Sequence, residues 1–165
     1  YARQHLSPAN LPVMTLSIGE SELGALRGVA MQGHFASWSY LGAIDDPHNR
    51  DFVRRWRVFS GDDKAMPNDP MEATFIGFRM WAAAVEKAGT TRADAVRSAL
   101  RGMTCVAPSG FTVQLDAKTQ HLHKPALIGR ITDEGSILPV WTSPGLVPPE
   151  PWSPWLKGES LKRAS

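Results

Sequence analysis

With 165 residues, 42% of them hydrophobic, the chain is long enough to bury a core, roughly 70% of its unfolded surface at this size. Eighteen basic and 16 acidic residues leave a net charge of +2, and the basic residues are scattered rather than gathered on an aromatic-lined stripe, which argues against a nucleic-acid partner. The single cysteine, Cys105, excludes an intramolecular disulfide, and no apolar run reaches the length of about 18 to 20 residues that crosses a bilayer.

The first predicted element is a strand over Leu11–Ile18, apolar enough to be buried on both faces in a parallel sheet, followed by a polar turn at Gly19–Glu22. Ser21 is placed to cap a short helix over Glu22–Leu26. A second strand is expected within Val29–Tyr40, leading into a loop at Trp38–Ala43. Asp46-Pro47 starts a helix: the aspartate accepts from orphan amides, and proline at the first position loses no hydrogen bond. In that helix Phe52, Val53, Trp56 and Phe59 share a face, and Gly61-Asp62-Asp63 closes it.

Asn68-Asp69-Pro70 repeats the start signal, and the helix it opens runs to about Lys87, with Gly89 as its C-terminal cap. Phe75, Ile76, Phe78, Trp81 and Val85 surround most of its circumference, so cover is expected on both sides. Thr91–Asp94 has the spacing of a capping box, with Asp for the usual Glu, ahead of a helix that ends at Gly102.

Beyond Pro108 the pattern changes to period two. Phe111, Val113 and Leu115 alternate with polar residues in a half-buried strand, and Asp116-Ala117-Lys118 turns the chain. Strands are expected over Ala126–Thr132 and Ser136–Trp141 around the hairpin turn Asp133-Glu134-Gly135. Pro139 marks the last of these as an edge strand or a bulge, because proline donates nothing to a ladder. A Pro/Trp-rich tail over 144–165 is expected to lie extended on the surface, with disorder after Gly158.

The ordered series Trp38-Ser39-Tyr40, Ile44-Asp45, Asn68-Asp69-Pro70-Met71-Glu72-Ala73, Gln120-His121-Leu122 and Ile128-Gly129-Arg130-Ile131 resembles periplasmic substrate-binding proteins of the urea and short-chain amide branch. These belong to the Leu/Ile/Val-binding group. The resemblance runs from about Leu11 to Pro154, with the segments around Gln120 and Ile128 expected to pair as strands. It implies an α/β fold: part of a type I periplasmic-binding-protein fold, with a parallel sheet core flanked by helices and a C-terminal antiparallel hairpin region. It also implies that the family's first lobe and the start of its second precede Tyr1, so that the chain is a portion of a larger binder and its site half a site. On that basis 1–66 belongs to the second lobe, 67–104 is a helical segment of the first lobe, and 105–143 returns toward the second.

The implied function is the non-catalytic solute-binding component of an ABC transporter for urea or a short amide, periplasmic, handing its solute to a membrane permease. Two other functions share the same residues: a cytoplasmic amide-sensing regulator, and an α/β module that self-associates through uncovered edges and faces.

Ligands of parallel sheets sit beyond the carboxyl ends of the strands, here at the loops Ser17–Glu22 and Ser37–Tyr40. Trp38 and Tyr40 offer flat faces with polar tips suited to a planar amide, Glu20 or Glu22 can accept from its N–H groups, and Ser17 or Ser39 can donate to its oxygen. The resemblance carries ligand contacts onto Glu20, Trp38 and Tyr40. The competing reading makes both aromatics part of a core or lobe interface, and both glutamates ordinary residues at a helix start.

His121 and His123, with His34 and Cys105 elsewhere, lack the spacing of a zinc site, and no cofactor is expected. No Gly-x-Ser-x-Gly elbow is present, Ser109-Gly110 lacks a phosphate-cradling glycine run, and the pairs Asp45-Asp46 and Asp62-Asp63 fall at helix boundaries, as caps and turns do.

Overall fold

A computed structural model describes residues 4–26 and 31–151. The start of the second predicted strand and the tail beyond residue 151 lie outside them. Seven strands and four helices follow in the order β1 (Met14–Thr15), α1 (Glu20–Ala25), β2 (Phe35–Trp38), α2 (Pro47–Ser60), α3 (Asp69–Ala88), α4 (Ala93–Leu100), β3 (Thr104–Val106), β4 (Thr112–Leu115), β5 (Leu122–His123), β6 (Leu127–Ile131) and β7 (Ile137–Thr142).

Sheet A has the order β1-β2-β6-β7 and sheet B the order β3-β4-β5. The predicted parallel pairing is present as β1 against β2, but the strand expected over Leu11–Ile18 shortens to two residues at the sheet edge and leaves Val13, Met14 and Leu16 exposed; β6 lies antiparallel to both β2 and β7, so sheet A is mixed. The segments around Gln120 and Ile128 do not pair with each other. Leu122–His123 joins β4 in sheet B, whereas Leu127–Ile131 enters sheet A beside β2. Strand β3, absent from the sequence reading, pairs with β4. At three residues it is too short to show a period.

The helix starts follow their local chemistry. Asp46 accepts from the His48 N–H at 2.8 Å, Asn68 accepts from Met71 N–H at 3.2 Å, and Gly61 and Gly89 close α2 and α3 at φ 69° and 63°. Two expected caps are replaced. Helix α1 begins after Gly19, whose N–H donates to Glu22 at 2.9 Å, so Ser21 lies inside the first turn. Helix α4 begins after Arg92 with no side-chain cap, so Thr91 and Asp94 form no box.

Three buried clusters result among the described residues. Leu23, Ala36, Leu41, Leu127, Ile131 and Ile137 bury sheet A against α1, Ile76, Met80, Ala107 and Val113 bury α3 against sheet B, and Ala84, Val96 and Ala99 bury α3 against α4. Alternation in β6 directs Leu127, Gly129 and Ile131 inward. Pro139 satisfies both alternatives offered for it: β7 ends the sheet, and the ladder shifts register between Ile128 and Gly129.

The outer flank of α2 and α3 is uncovered by described residues. Phe59 is 83% exposed, so it leaves the face shared by Phe52 and Val53, and Phe78 at 66% breaks the expectation of full cover around α3. Trp56 stacks with Phe59 and Phe78 with Trp81 at centroid distances of 5.8 Å, which limits the apolar area each ring shows to water.

Candidate functional site

The loop after β1 and the loop after β2 meet through a buried carboxylate. Glu20, the first residue of α1, is 8% exposed, and its Oε1 accepts from the Gly42 N–H at 2.6 Å. A side chain at position 42 would stand 3.0 Å from the Pro67 carbonyl and 2.9 Å from Met66, so glycine there permits the close approach. The other oxygen of Glu20 is buried without a hydrogen-bond partner. Burial pushes the carboxyl up to about 7; the Gly42 N–H opposes the shift, and the neighbouring carboxylates of Glu22 and Asp69 add to it.

Tyr40 is fully buried and donates its hydroxyl to Asn49 Oδ1 at 2.7 Å. Asn49 in turn donates to the Gly42 and Ile44 carbonyls at 2.8 and 2.7 Å, fixing the turn that follows β2. Burial, reinforced by the charges of Glu20, Glu72 and Asp69, raises the phenol above its usual range and keeps the proton on oxygen. Replacing Tyr40 by phenylalanine leaves Asn49 Oδ1 buried without its donor, and a loss of about 1 to 2 kcal/mol in urea unfolding is expected.

Trp38 is half-buried, with its Nε1 donating to the Ile18 carbonyl at 3.0 Å, and this bond ties β2 to the first loop. Ser17 is exposed in that loop, its N–H turned onto Thr15 Oγ1 at 3.2 Å. Ser39 N–H donates to Asp69 Oδ2 at 2.8 Å, and Asn68 Nδ2 to Ser21 Oγ at 2.7 Å, so the start of α3 braces both loops.

Of the four residues singled out in the sequence, Glu20 and Tyr40 are buried beneath these loops with hydrogen bonds inside the protein, and Ser17 and Trp38 lie nearer the surface. The sequence reading missed Asn49 and Asp69, and with them Glu72 and Lys124, whose ammonium stands 2.8 Å from Glu72 and 3.5 Å from Asp69. Asp69 and Glu72 were legible only as first-turn acids of a helix, and a lone lysine before a proline carries no local signal.

Two hollows lie beside these loops rather than over the four residues. One of about 620 Å³ is lined by Phe52, Trp56, Met71, Phe75 and Phe78, and one of about 560 Å³ by Gly42 and Asn49 of the braced turn with Arg50, Arg54 and Arg57. None of Ser17, Glu20, Trp38 and Tyr40 lines either. His121 and His123 are occupied locally, with the Thr119 carbonyl at 2.8 Å and Asp116 at 3.4 Å, and among the described residues no group of three His, Cys, Asp or Glu could hold a metal ion.

A mixed sheet carrying braced loops at its strand ends, joined twice to a second small sheet, defines an α/β binding fold. The chain belongs to the Periplasmic binding protein domain family, whose match covers residues 1–158. Its fold is a portion of the type I periplasmic-binding-protein fold, with mixed sheets and flanking helices. A solute-binding protein of an ABC transporter from Rhodopseudomonas palustris BisB5, solved with 3,4-dihydroxybenzoic acid, superposes with a TM-score of 0.75 at 19% identity, over 90% of this chain and 41% of that one. A second, from Rhodopseudomonas palustris HaA2 with p-hydroxybenzoic acid, gives 0.74 at 21% identity over 89% and 41%. A protein named limonene hydroxylase from Geobacillus stearothermophilus is 28% identical over 120 residues, 72% of this chain and 21% of that protein. The chain therefore spans about two fifths of the structures and a fifth of the curated relative.

Proposed function

We propose that this chain supplies part of the solute-binding component of an ABC transporter and that it binds without catalysis. Sheet A with α1 and α2 would contribute to one lobe, and α3, α4 and sheet B to the other; the sheet A cluster shares no residue with the two clusters of α3, α4 and sheet B, which share Leu100 and Met103, and this supports the division. The loops Ser17–Glu20 and Trp38–Tyr40 would form one wall of the solute cleft, with Ser17 and Trp38 toward the solute and Glu20 and Tyr40 holding them from below. The family supports a periplasmic location and a membrane permease as partner.

The solute we favour is a neutral N–H donor, urea or a short amide, and the charge at the wall carries that choice. Asp69 and Glu72 meet one ammonium there, Lys124, which leaves a negative excess. Such a wall disfavours a carboxylate, whereas a neutral amide meets no such repulsion. The benzoates held by the structurally similar proteins are anions, which this wall disfavours. The hydroxylase name belongs to a protein of which four fifths lies outside the match, and no reaction follows from it here.

Titration calorimetry of the protein in full-length form with urea, acetamide, 4-hydroxybenzoate and leucine tests the choice. Heat of binding from urea or acetamide is expected; saturable binding of 4-hydroxybenzoate alone would overturn the amide assignment while leaving the binding-protein function intact.

A further inference from the structure

The chain passes between sheet A and sheet B twice in the described residues, through 39–103, which holds α2, α3 and α4, and through 124–126, and Lys124 joins the two. Its ammonium stands 2.8 Å from Glu72 Oε2 and 3.5 Å from Asp69 Oδ2, both in the first turn of α3. Its carbonyl accepts from the Val147 N–H at 2.8 Å, which brings the segment after β7 to the same point. Pro67 and Pro125, one in each passage, are fully buried and restrict the backbone on either side.

The two carboxylates extend the contact outward. Asp69 Oδ2 accepts from the Ser39 N–H at 2.8 Å, and Glu72 Oε1 from the Ser109 N–H at 3.3 Å. One ammonium thus links the loop after β2, the start of α3 and the loop between β3 and β4. The side chains are enclosed: Glu72 is 0% and Lys124 12% exposed. An apolar trio of the same volume would be at least as stable, because ion desolvation offsets most of the attraction. What the charges add is a unique arrangement, since an ammonium with two carboxylates has one seat here where apolar groups could slide.

We propose that Lys124 is a positioning residue: a clasp that joins the two passages between the sheets and so sets where the Ser39 loop stands relative to sheet B. The clasp does not depend on which solute binds. If it acts this way, its loss loosens particular amides rather than the whole chain.

Amide hydrogen exchange followed by NMR on Lys124→Met, Lys124→Arg and the double variant Lys124→Met/Glu72→Gln separates the two. In Lys124→Met the Ser39 and Ser109 amides are expected to exchange faster on the order of tenfold, with the α4 amides unchanged. Lys124→Arg is expected to stay within about twofold of the parent. The double variant removes the stranded carboxylate charge, so it keeps the test open if the single variant does not fold, and it is expected to show the same local acceleration. Unchanged Ser39 and Ser109 exchange, or an equal acceleration that includes α4, would overturn the proposal.

Discussion

Replacing Glu20 by glutamine is expected to stabilise the protein at pH 8 and to flatten its stability between pH 4.5 and 7. The folded state holds this carboxyl at about 7, whereas an unfolded chain releases the proton near 4.5. Between those values the folded state binds more protons than the unfolded state, so stability falls as pH rises. The stabilising contribution is complete below the unfolded value and lost through the folded one. The span corresponds to about 3 kcal/mol as an upper figure. Glutamine keeps an oxygen for the Gly42 N–H and removes the ionisation, so the variant should gain most of that amount above pH 7 and nothing below pH 4. Urea unfolding of both proteins at four or five pH values gives the comparison. A constant difference between the two curves across that range would show that Glu20 ionises freely in the folded protein.

The second large effect is steric. Gly129 sits in β6 at the register shift opposite Pro139, and a Cβ there would lie 2.4 Å from Ile137 Cγ2 and 2.7 Å from Leu41 Cδ1. Leu41 and Ile137 are both fully buried, so neither can retreat into solvent. Gly129→Val is therefore expected to cost about 2 to 3 kcal/mol through overpacking of the sheet A core. Gly77, in α3, has open space where its Cβ would stand, and Gly77→Ala is expected to stabilise by about 0.5 to 1 kcal/mol. Denaturation midpoints of the two variants should move in opposite directions. A Gly129→Val protein as stable as the parent would mean that the β6–β7 ladder opens without cost.

The loop after β2 is fixed by polar groups committed inside the protein. Glu20 and Asn49 use their side chains on backbone groups of the loop after β2, and Asp69 holds the Ser39 N–H of the same loop. Under the proposed function, a loop fixed in this way would hold the neighbouring Trp38 with little freedom and lower the ordering cost of binding a small solute.

Local chemistry made much of this chain readable from its residues. Asp46-Pro47 and Asn68-Asp69-Pro70 start helices because their side chains satisfy orphan amides a few residues on, and Gly61 and Gly89 end them because glycine accepts positive φ. The hairpin at Asp133-Glu134-Gly135 and the edge placement of Pro139 follow from the same short-range rules. Tertiary structure alone decided what fills the open side of β2. Phe35 meets Arg130 across almost a hundred residues, and no pattern within either strand names its neighbour. It also decided that Tyr40 turns inward to Asn49, that Glu20 loses its solvent, and that Lys124 finds Asp69 and Glu72. The reason is physical: a cap or turn is satisfied by groups already adjacent in the chain, whereas burial and ion pairing depend on which distant segment arrives to exclude the water.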